Sequence, residues 1–149
     1  MNLIIVEKFI ESIREYIESN GITVTEFSRI VGCLERCVAR WLNGTNIPST
    51  EYVVKVADSL RYSVDYLFQR TDKKEYIAAV ARVPFSDRLK FLIDESGKSK
   101  SYWAKVWGVE PSAVTKWMNG TRLPKPDTIY IIADSFGYTM DFVLGRTDY

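Results

Sequence analysis

An internal repeat constrains the fold of this chain more than any other feature of its sequence. Residues 9–72 align with residues 85–148 over 64 positions, at a constant offset of 76 and without a gap. Among the identities, Trp41, Asn43, Gly44, Pro48, Asp65 and Arg70 match Trp117, Asn119, Gly120, Pro124, Asp141 and Arg146. The 149 residues therefore hold two copies of one small domain, where length alone suggests a single domain. We place domain 1 at residues 1–72, a linker at 73–84 and domain 2 at 85–149.

Each copy has the pattern of five short helices. One stripe of an amphipathic helix is formed by Phe9, Ile10, Ile13, Tyr16 and Ile17. Gly32 and Gly108 permit a tight turn between the second and third helices, and Ser49 and Ser63 are suited to cap the fourth and fifth. No useful length of sequence alternates with a period of two. The predicted fold class is all-α, with two tandem five-helix domains.

Apolar spacing also predicts the linker and the core. Tyr76, Ile77, Val80 and Val83 recur at helical intervals, so we expect a short helical linker that packs between the domains. In the second helix of domain 1, Phe27, Ile30 and Val31 are expected to point inward. In domain 2, Trp103 takes the place of Phe27 in the core, and Trp107 is expected to be partly exposed.

The composition excludes several classes of function. Because the chain has no histidine, it has no His-based catalysis and no His-ligated metal site. Its two cysteines, Cys33 and Cys37, cannot complete a tetrahedral zinc site, and their spacing of four on a helix disfavours a disulfide. The repeated aspartates near helix starts are interpreted as capping residues. We expect no enzymatic activity, no cofactor and no metal.

The expected cellular location follows from the absence of a signal-peptide pattern and of a long apolar run in the sequence. The N-terminal segment has four consecutive apolar residues and no basic region, which is not the pattern of a signal peptide. No apolar run approaches the roughly 18 residues that span a bilayer. With two cysteines and this composition, a cytoplasmic protein with reduced thiols and no membrane partner is expected.

A helix, a glycine-containing turn and a second helix form the pattern of helix-turn-helix DNA-binding proteins. The residues from Gly21 through Trp41-Leu42-Asn43-Gly44 to Leu60, and those from Gly97 to Asp148, resemble the lambda-repressor-like (XRE-type) helix-turn-helix family. The resemblance covers about 128 of the 149 residues. It departs from the usual single domain with a dimerisation region, because two copies lie in tandem.

The resemblance implies a DNA-facing surface that runs from the start of helix two, along helix three, to the loop before helix four. In domain 2, residues 97–126 carry six basic side chains and one acidic side chain, a net charge of +5. The predicted DNA-binding residues there are Lys98, Lys100, Ser101, Ser112, Thr115, Lys116, Asn119, Arg122 and Lys125. Ser112, Thr115, Lys116 and Asn119 share one stripe of helix three, opposite Val114.

Domain 1 differs on the corresponding surface. Residues 21–50 have a net charge of +1, and Ile22 and Val24 stand where domain 2 has Lys98 and Lys100. Arg36 and Arg40 are the candidate DNA-binding residues of this domain, whereas Leu34 and Cys37 are poor readers of base edges. Domain 2 is therefore predicted to dominate DNA binding.

The predicted function is a sequence-specific DNA-binding transcriptional regulator, of repressor type, whose partner is double-stranded DNA. It would place helix three of the second domain, and optionally of the first, in the major groove. Either the tandem domains act as a pseudo-dimer or two chains form a homodimer. The alternative is a protein-interaction module, antitoxin-like or inhibitor-like, that uses domain 1 to contact a protein partner.

Overall fold

The computed structural model describes residues 2–149, and across these residues the chain is helical with no β-strand. It divides into two compact units, one ending at Tyr76 (unit 1) and the other spanning Ile77–Tyr149 (unit 2). Each unit contains five of the ten helices in this part of the chain. The prediction of an all-α fold with two five-helix domains is confirmed. No helix among these residues has the length and apolar character needed to cross a membrane.

Unit 1 contains helices α1 (Leu3–Ser19), α2 (Val24–Val31), α3 (Glu35–Leu42), α4 (Thr50–Leu60) and α5 (Val64–Leu67). Side-chain caps explain where several of these helices begin. Thr23 accepts a hydrogen bond from the Glu26 backbone N–H at the start of α2, and the Glu26 carboxylate accepts one from the Thr23 N–H in return. Ser49 and Ser63 cap α4 and α5, as predicted.

Unit 2 contains helices α6 (Phe85–Ser96), α7 (Lys100–Trp107), α8 (Pro111–Met118), α9 (Pro126–Phe136) and α10 (Met140–Val143). Ser99 and Thr139 cap α7 and α10. Proline occupies the first position of α8 and of α9, where its missing N–H has no intrahelical partner to lose. The two units thus use different residues to begin matching helices.

Each unit has its own apolar core. In unit 1, α1 packs against α3 and α5, and the Phe9 and Phe68 rings stack at a centroid distance of 5.2 Å. In unit 2, α6 packs against α8 and α10, with Leu89 and Met140 fully buried. Trp41 is buried and meets the Tyr52 ring edge-on at 5.5 Å, so it packs the end of α3 against α4.

A buried ion pair recurs in both units. The guanidinium groups of Arg70 and Arg146 donate to the carboxylates of Asp65 and Asp141, respectively. The side chain of Arg146 is 0% exposed, whereas that of Arg70 is 15% exposed. The repeated aspartates at these positions therefore hold the segment after the last helix of each unit, while the caps of α5 and α10 are Ser63 and Thr139.

The first helix is longer than the apolar stripe from Phe9 predicts. α1 begins at Leu3, with the Asn2 side chain accepting a hydrogen bond from the Ile5 N–H. Ile5 and Val6 are buried, so the stripe extends by about one turn toward the N-terminus. α6 has no such extension, because Pro84 immediately precedes it.

The prediction of a helical linker is wrong. Residues 68–84 contain no helix, and Val80 is 99% exposed, so the apolar residues of this segment do not form a buried stripe. The backbone instead bonds to the unit on each side. The Lys74 carbonyl accepts from the Ser63 N–H at 2.7 Å in unit 1, and the Ala79 N–H donates to the Arg146 carbonyl at 2.9 Å in unit 2.

Two predictions about the core are also wrong. Ile30 is 46% exposed, because the buried face of the short helix α2 is completed by Phe27, Ser28 and Val31. In α7, Trp107 is the more buried tryptophan, at 8% exposure, and its indole N–H donates to the Ser135 hydroxyl at 3.0 Å. Trp103 is half-buried and donates to Ser96 at 2.9 Å. A hydrogen-bond partner for each indole allows both rings to pack.

Candidate nucleic-acid interface

Helices α7 and α8 form a helix-turn-helix motif. Gly108 ends α7 with φ of 68°, in the left-handed region that glycine adopts without steric cost. The chain then turns through Val109 and Glu110, and α8 begins at Pro111. In unit 1, Gly32 ends α2 with φ of 68°, and α3 begins three residues later. The turn that the sequence predicted is therefore present in both units.

The exposed side of α8 is polar and basic. Ser112, Lys116 and Asn119 are exposed, and Thr115 is half-buried. Val114 and Trp117 are buried on the other side of the helix. The four predicted side chains on this helix therefore share one face, and that face is not used by the core.

The N-terminal end of α7 lies beside this face. The Lys100 ammonium donates to the Thr115 hydroxyl at 2.6 Å, which joins the two helices across the turn. Lys98 and Ser101 are exposed, and the Lys98 ammonium lies 5.3 Å from the centroid of the Tyr102 ring. Sequence reasoning did not assign Tyr102 to this surface. The signal in the sequence was its position next to Ser101, in the first turn of the short helix α7.

The loop after α8 completes the basic surface. Asn119 closes the helix, and its side-chain oxygen accepts from the Thr121 N–H at 3.1 Å and the Thr121 hydroxyl at 2.7 Å. Arg122 and Lys125 are both exposed in this loop. Thus eight of the nine predicted residues of unit 2 are exposed, the exception being the half-buried Thr115.

The corresponding surface of unit 1 is less basic and more apolar. Arg36 and Arg40 are exposed on α3, one turn apart. Glu35 accepts a hydrogen bond from the Thr25 hydroxyl at 2.7 Å and places a negative charge at the start of the same helix. Leu34 is 57% exposed where unit 2 has Glu110. Unit 1 therefore presents two guanidinium groups beside an acid and an exposed leucine.

Cys33 lies in the turn between α2 and α3 and Cys37 in the first turn of α3, and both are free and half-buried. Burial raises the pKa of the Cys33 thiol above its ordinary value, and the nearby positive charge of Lys55 only partly opposes this. The thiol is accordingly held in its neutral form and contacts the Val31 carbonyl at a sulfur–oxygen distance of 3.8 Å. In residues 2–149, no three histidine, cysteine or acidic side chains are grouped so as to hold a metal ion.

A family model described as helix-turn-helix matches the chain twice, at residues 13–67 and 89–143. The two matches cover most of the chain, fall within separate units and include the turn and the following helix of each. The chain belongs to the XRE-type helix-turn-helix family. This is a family of DNA-binding regulators, so the resemblance stated from the sequence is confirmed. No curated protein and no solved structure matches the chain.

Proposed function

We propose that this family member is a sequence-specific transcriptional repressor that acts in the cytoplasm and inserts α8 of unit 2 into the major groove of DNA. The observation that carries the proposal is the exposed polar face of α8 together with the exposed basic residues that flank it in the sequence, Lys98 and Lys100 near the start of α7 and Arg122 and Lys125 in the loop after α8. Lysine and arginine on the flanks contact phosphates, which fixes the orientation of the helix on the duplex. Serine, threonine and asparagine on the helix supply hydrogen bonds to base edges.

The difference in charge between the units supports the assignment of unit 2 as the main DNA-binding unit. Residues 97–126 have a net charge of +5, and residues 21–50 have a net charge of +1. Phosphate contacts supply much of the affinity of such proteins, because each one releases a condensed counterion. Arg36 and Arg40 of unit 1 then make a secondary contribution to binding.

The proposal is tested by selecting the full chain against a random duplex library at near-physiological salt, then measuring the affinity of variants for the enriched sequence. Lys116→Ala with Arg122→Ala is expected to weaken binding by about 100-fold, at about 1–3 kcal/mol for each contact. Arg36→Ala with Arg40→Ala is expected to weaken it by less than about tenfold. The logarithm of the affinity should fall with the logarithm of the salt concentration with a slope of about four to six.

A matched control removes two basic side chains outside residues 97–126. Lys73→Ala with Lys90→Ala produces the same change in net charge, and both lysines are exposed. This variant should bind the selected duplex nearly as well as the parent chain. A larger loss in the Arg36 and Arg40 variant than in the Lys116 and Arg122 variant would reverse the assignment of the two units.

The number of half-sites in the enriched sequence distinguishes one DNA-reading unit from two. The mass of the protein bound to DNA distinguishes a homodimer from a single chain that acts as a pseudo-dimer.

The second candidate function is a protein-interaction module based on unit 1. It is favoured by the exposure of Ile30, Leu34 and Ile47 within residues 21–50, where phosphate recognition would call for basic or polar side chains. Apolar side chains at this density are typical of surfaces that contact proteins. If the library selection enriches no sequence and the chain binds duplexes weakly at low salt only, this function replaces the first.

A further inference from the structure

Unit 1 has a cleft between α1 and the end of the unit. Two adjoining cavities of about 90 and 380 Å³ share Ser12, Glu15 and Tyr66 in their walls. The smaller cavity extends along the rings of Tyr16 and Tyr62 to Lys74, and the larger extends along residues 69–72. We call the combined space the Ser12 cleft. It is formed entirely by residues of unit 1.

The internal repeat shows what occupies the same position in unit 2. Arg88 of α6 matches Ser12 of α1, and Phe142 matches Tyr66. The Arg88 guanidinium carbon lies 3.9 Å from the centroid of the Phe142 ring. Its Nη1 also donates to the Phe142 carbonyl at 2.9 Å. In unit 2, therefore, the chain's own guanidinium group stacks on the aromatic ring at this position.

In unit 1 the serine is too short to do this. The Ser12 hydroxyl donates to the Leu67 carbonyl at 2.8 Å and to the Lys8 carbonyl at 3.1 Å, so it stays close to the backbone. The Tyr66 ring meets Tyr62 edge-on at 5.5 Å, and α1 places no guanidinium group over it. Replacement of an arginine by a serine at matching positions thus leaves open the space that Arg88 fills in unit 2.

The charges around the Ser12 cleft suit a cation. Glu15 and Asp72 are exposed carboxylates in its wall. Arg70 also lines the cleft, but it is paired with Asp65. The remaining cation is Lys74, whose ammonium lies 5.5 Å from the centroid of the Tyr62 ring, the neighbouring ring to Tyr66. Two carboxylates therefore outweigh one ammonium in attracting a positively charged group.

We propose that the Ser12 cleft binds a guanidinium group, carried by a small molecule or by an arginine side chain of a partner, stacked on the Tyr66 ring with Glu15 as its counter-ion. A planar guanidinium group stacks on an aromatic face and is attracted by its quadrupole, as Arg88 demonstrates on Phe142. A carboxylate at the rim adds a charge-assisted hydrogen bond. This gives unit 1 a ligand site that is independent of its role in DNA binding.

The test is a titration of the full chain, followed by NMR of the tyrosine rings, with agmatine and separately with the peptide acetyl-Gly-Arg-Gly-amide. Either compound should shift the Tyr66 resonances saturably, with one site per chain. The control is 1,5-diaminopentane, which carries the same charge as agmatine but has an ammonium group in place of the planar guanidinium group, and it should bind at least about tenfold more weakly. Binding of agmatine alone points to a small-molecule ligand, and tighter binding of the peptide points to an arginine of a partner.

The key variant is Ser12→Arg, which supplies from α1 the guanidinium group that Arg88 supplies in unit 2. It should weaken agmatine binding at least about tenfold, and Glu15→Gln should weaken it to a smaller extent. If Ser12→Arg does not fold, Tyr66→Leu removes the stacking ring and should give the same loss. Unsaturable shifts, binding of 1,5-diaminopentane as tight as that of agmatine, or undiminished binding to a folded Ser12→Arg or Tyr66→Leu variant would each overturn the proposal.

Discussion

The two units have the same five-helix order, but they differ in the surfaces that surround their cores. Both retain the left-handed glycine at the turn, the tryptophan at the end of the third helix and the aspartate–arginine pair. Residues 97–126 of unit 2 have a net charge of +5, and the matching residues 21–50 of unit 1 have a net charge of +1. The pattern that specifies the fold was therefore maintained in both copies while the exposed positions changed.

The units also differ in the contacts that the segment after their last helix makes near the first helix. In unit 1, α1 contacts Gln69, whose side-chain amide donates to the Lys8 carbonyl and to Glu11. In unit 2, Gly145 stands at the position of Gln69, and the backbone of Val83 lies directly against it. The matching positions thus contact the first helix through a side chain in unit 1 and the segment before the first helix through the backbone in unit 2.

The largest expected effect is from breaking the buried ion pair of unit 2. Asp141→Ala leaves the Arg146 guanidinium buried without its carboxylate, which should destabilise unit 2 by about 3–5 kcal/mol. Asp65→Ala should cost unit 1 less, because water reaches the partly exposed Arg70. Urea denaturation with hydrogen exchange resolved for peptides of each unit measures both values. Equal losses in the two units would contradict the role assigned to burial.

Much of the fold could be predicted from the sequence because each helix has a counterpart in the other copy of the repeat. Two aligned segments therefore indicate where each helix begins and ends. Caps such as Ser49 and Ser63 and glycines such as Gly108 act through local hydrogen bonds and backbone angles, which sequence spacing reveals. The linker could not be predicted in this way. Val80 and Val83 have helical spacing, but a helix of this length is unstable without a surface to bury its apolar stripe.

The candidate interface was also predictable in part. The stripe from Ser112 to Asn119 follows from helical periodicity alone. The contact between Lys100 and Thr115 depends on how α7 and α8 pack, and 15 residues separate the two side chains. The Ser12 cleft was missed for a different reason. A serine has no distinctive pattern of its own, and only its comparison with Arg88 in the aligned repeat signals the space it leaves.

The next largest effect on stability is expected at Gly145, where the backbone makes a close contact. A Cβ atom there would lie 2.0 Å from the Val83 carbonyl oxygen, a distance at which the backbone must move. We expect Gly145→Ala to destabilise unit 2 by about 3 kcal/mol and to release the segment before α6. Hydrogen exchange at Ala79, whose N–H donates to Arg146, should accelerate. Gln69→Ala in unit 1 removes two exposed side-chain bonds and should cost about 1 kcal/mol or less.

The smallest effect concerns the end of the fourth helix, where the units differ by one residue type. Arg61 ends α4 with φ of 59°, and its counterpart Gly137 ends α9 with φ of 72°. A non-glycine residue pays about 1–2 kcal/mol in this left-handed region, and a glycine costs about 0.5–1 kcal/mol through the added freedom of the unfolded chain. Arg61→Gly should therefore stabilise unit 1 by about 0.5–1 kcal/mol, measured as a shift of its urea midpoint.

Gly137→Ala is the reciprocal change. No atom lies within 4 Å of the Cβ that it would add, so its cost of about 1 kcal/mol measures the backbone conformation alone. It also serves as the control for Gly145→Ala, because both residues have a positive φ and only Gly145 meets a neighbouring carbonyl. If Gly137→Ala destabilised unit 2 as much as Gly145→Ala, the contact with Val83 would not contribute to the loss of stability at Gly145. The expected difference of about 2 kcal/mol instead assigns most of the effect at Gly145 to that contact.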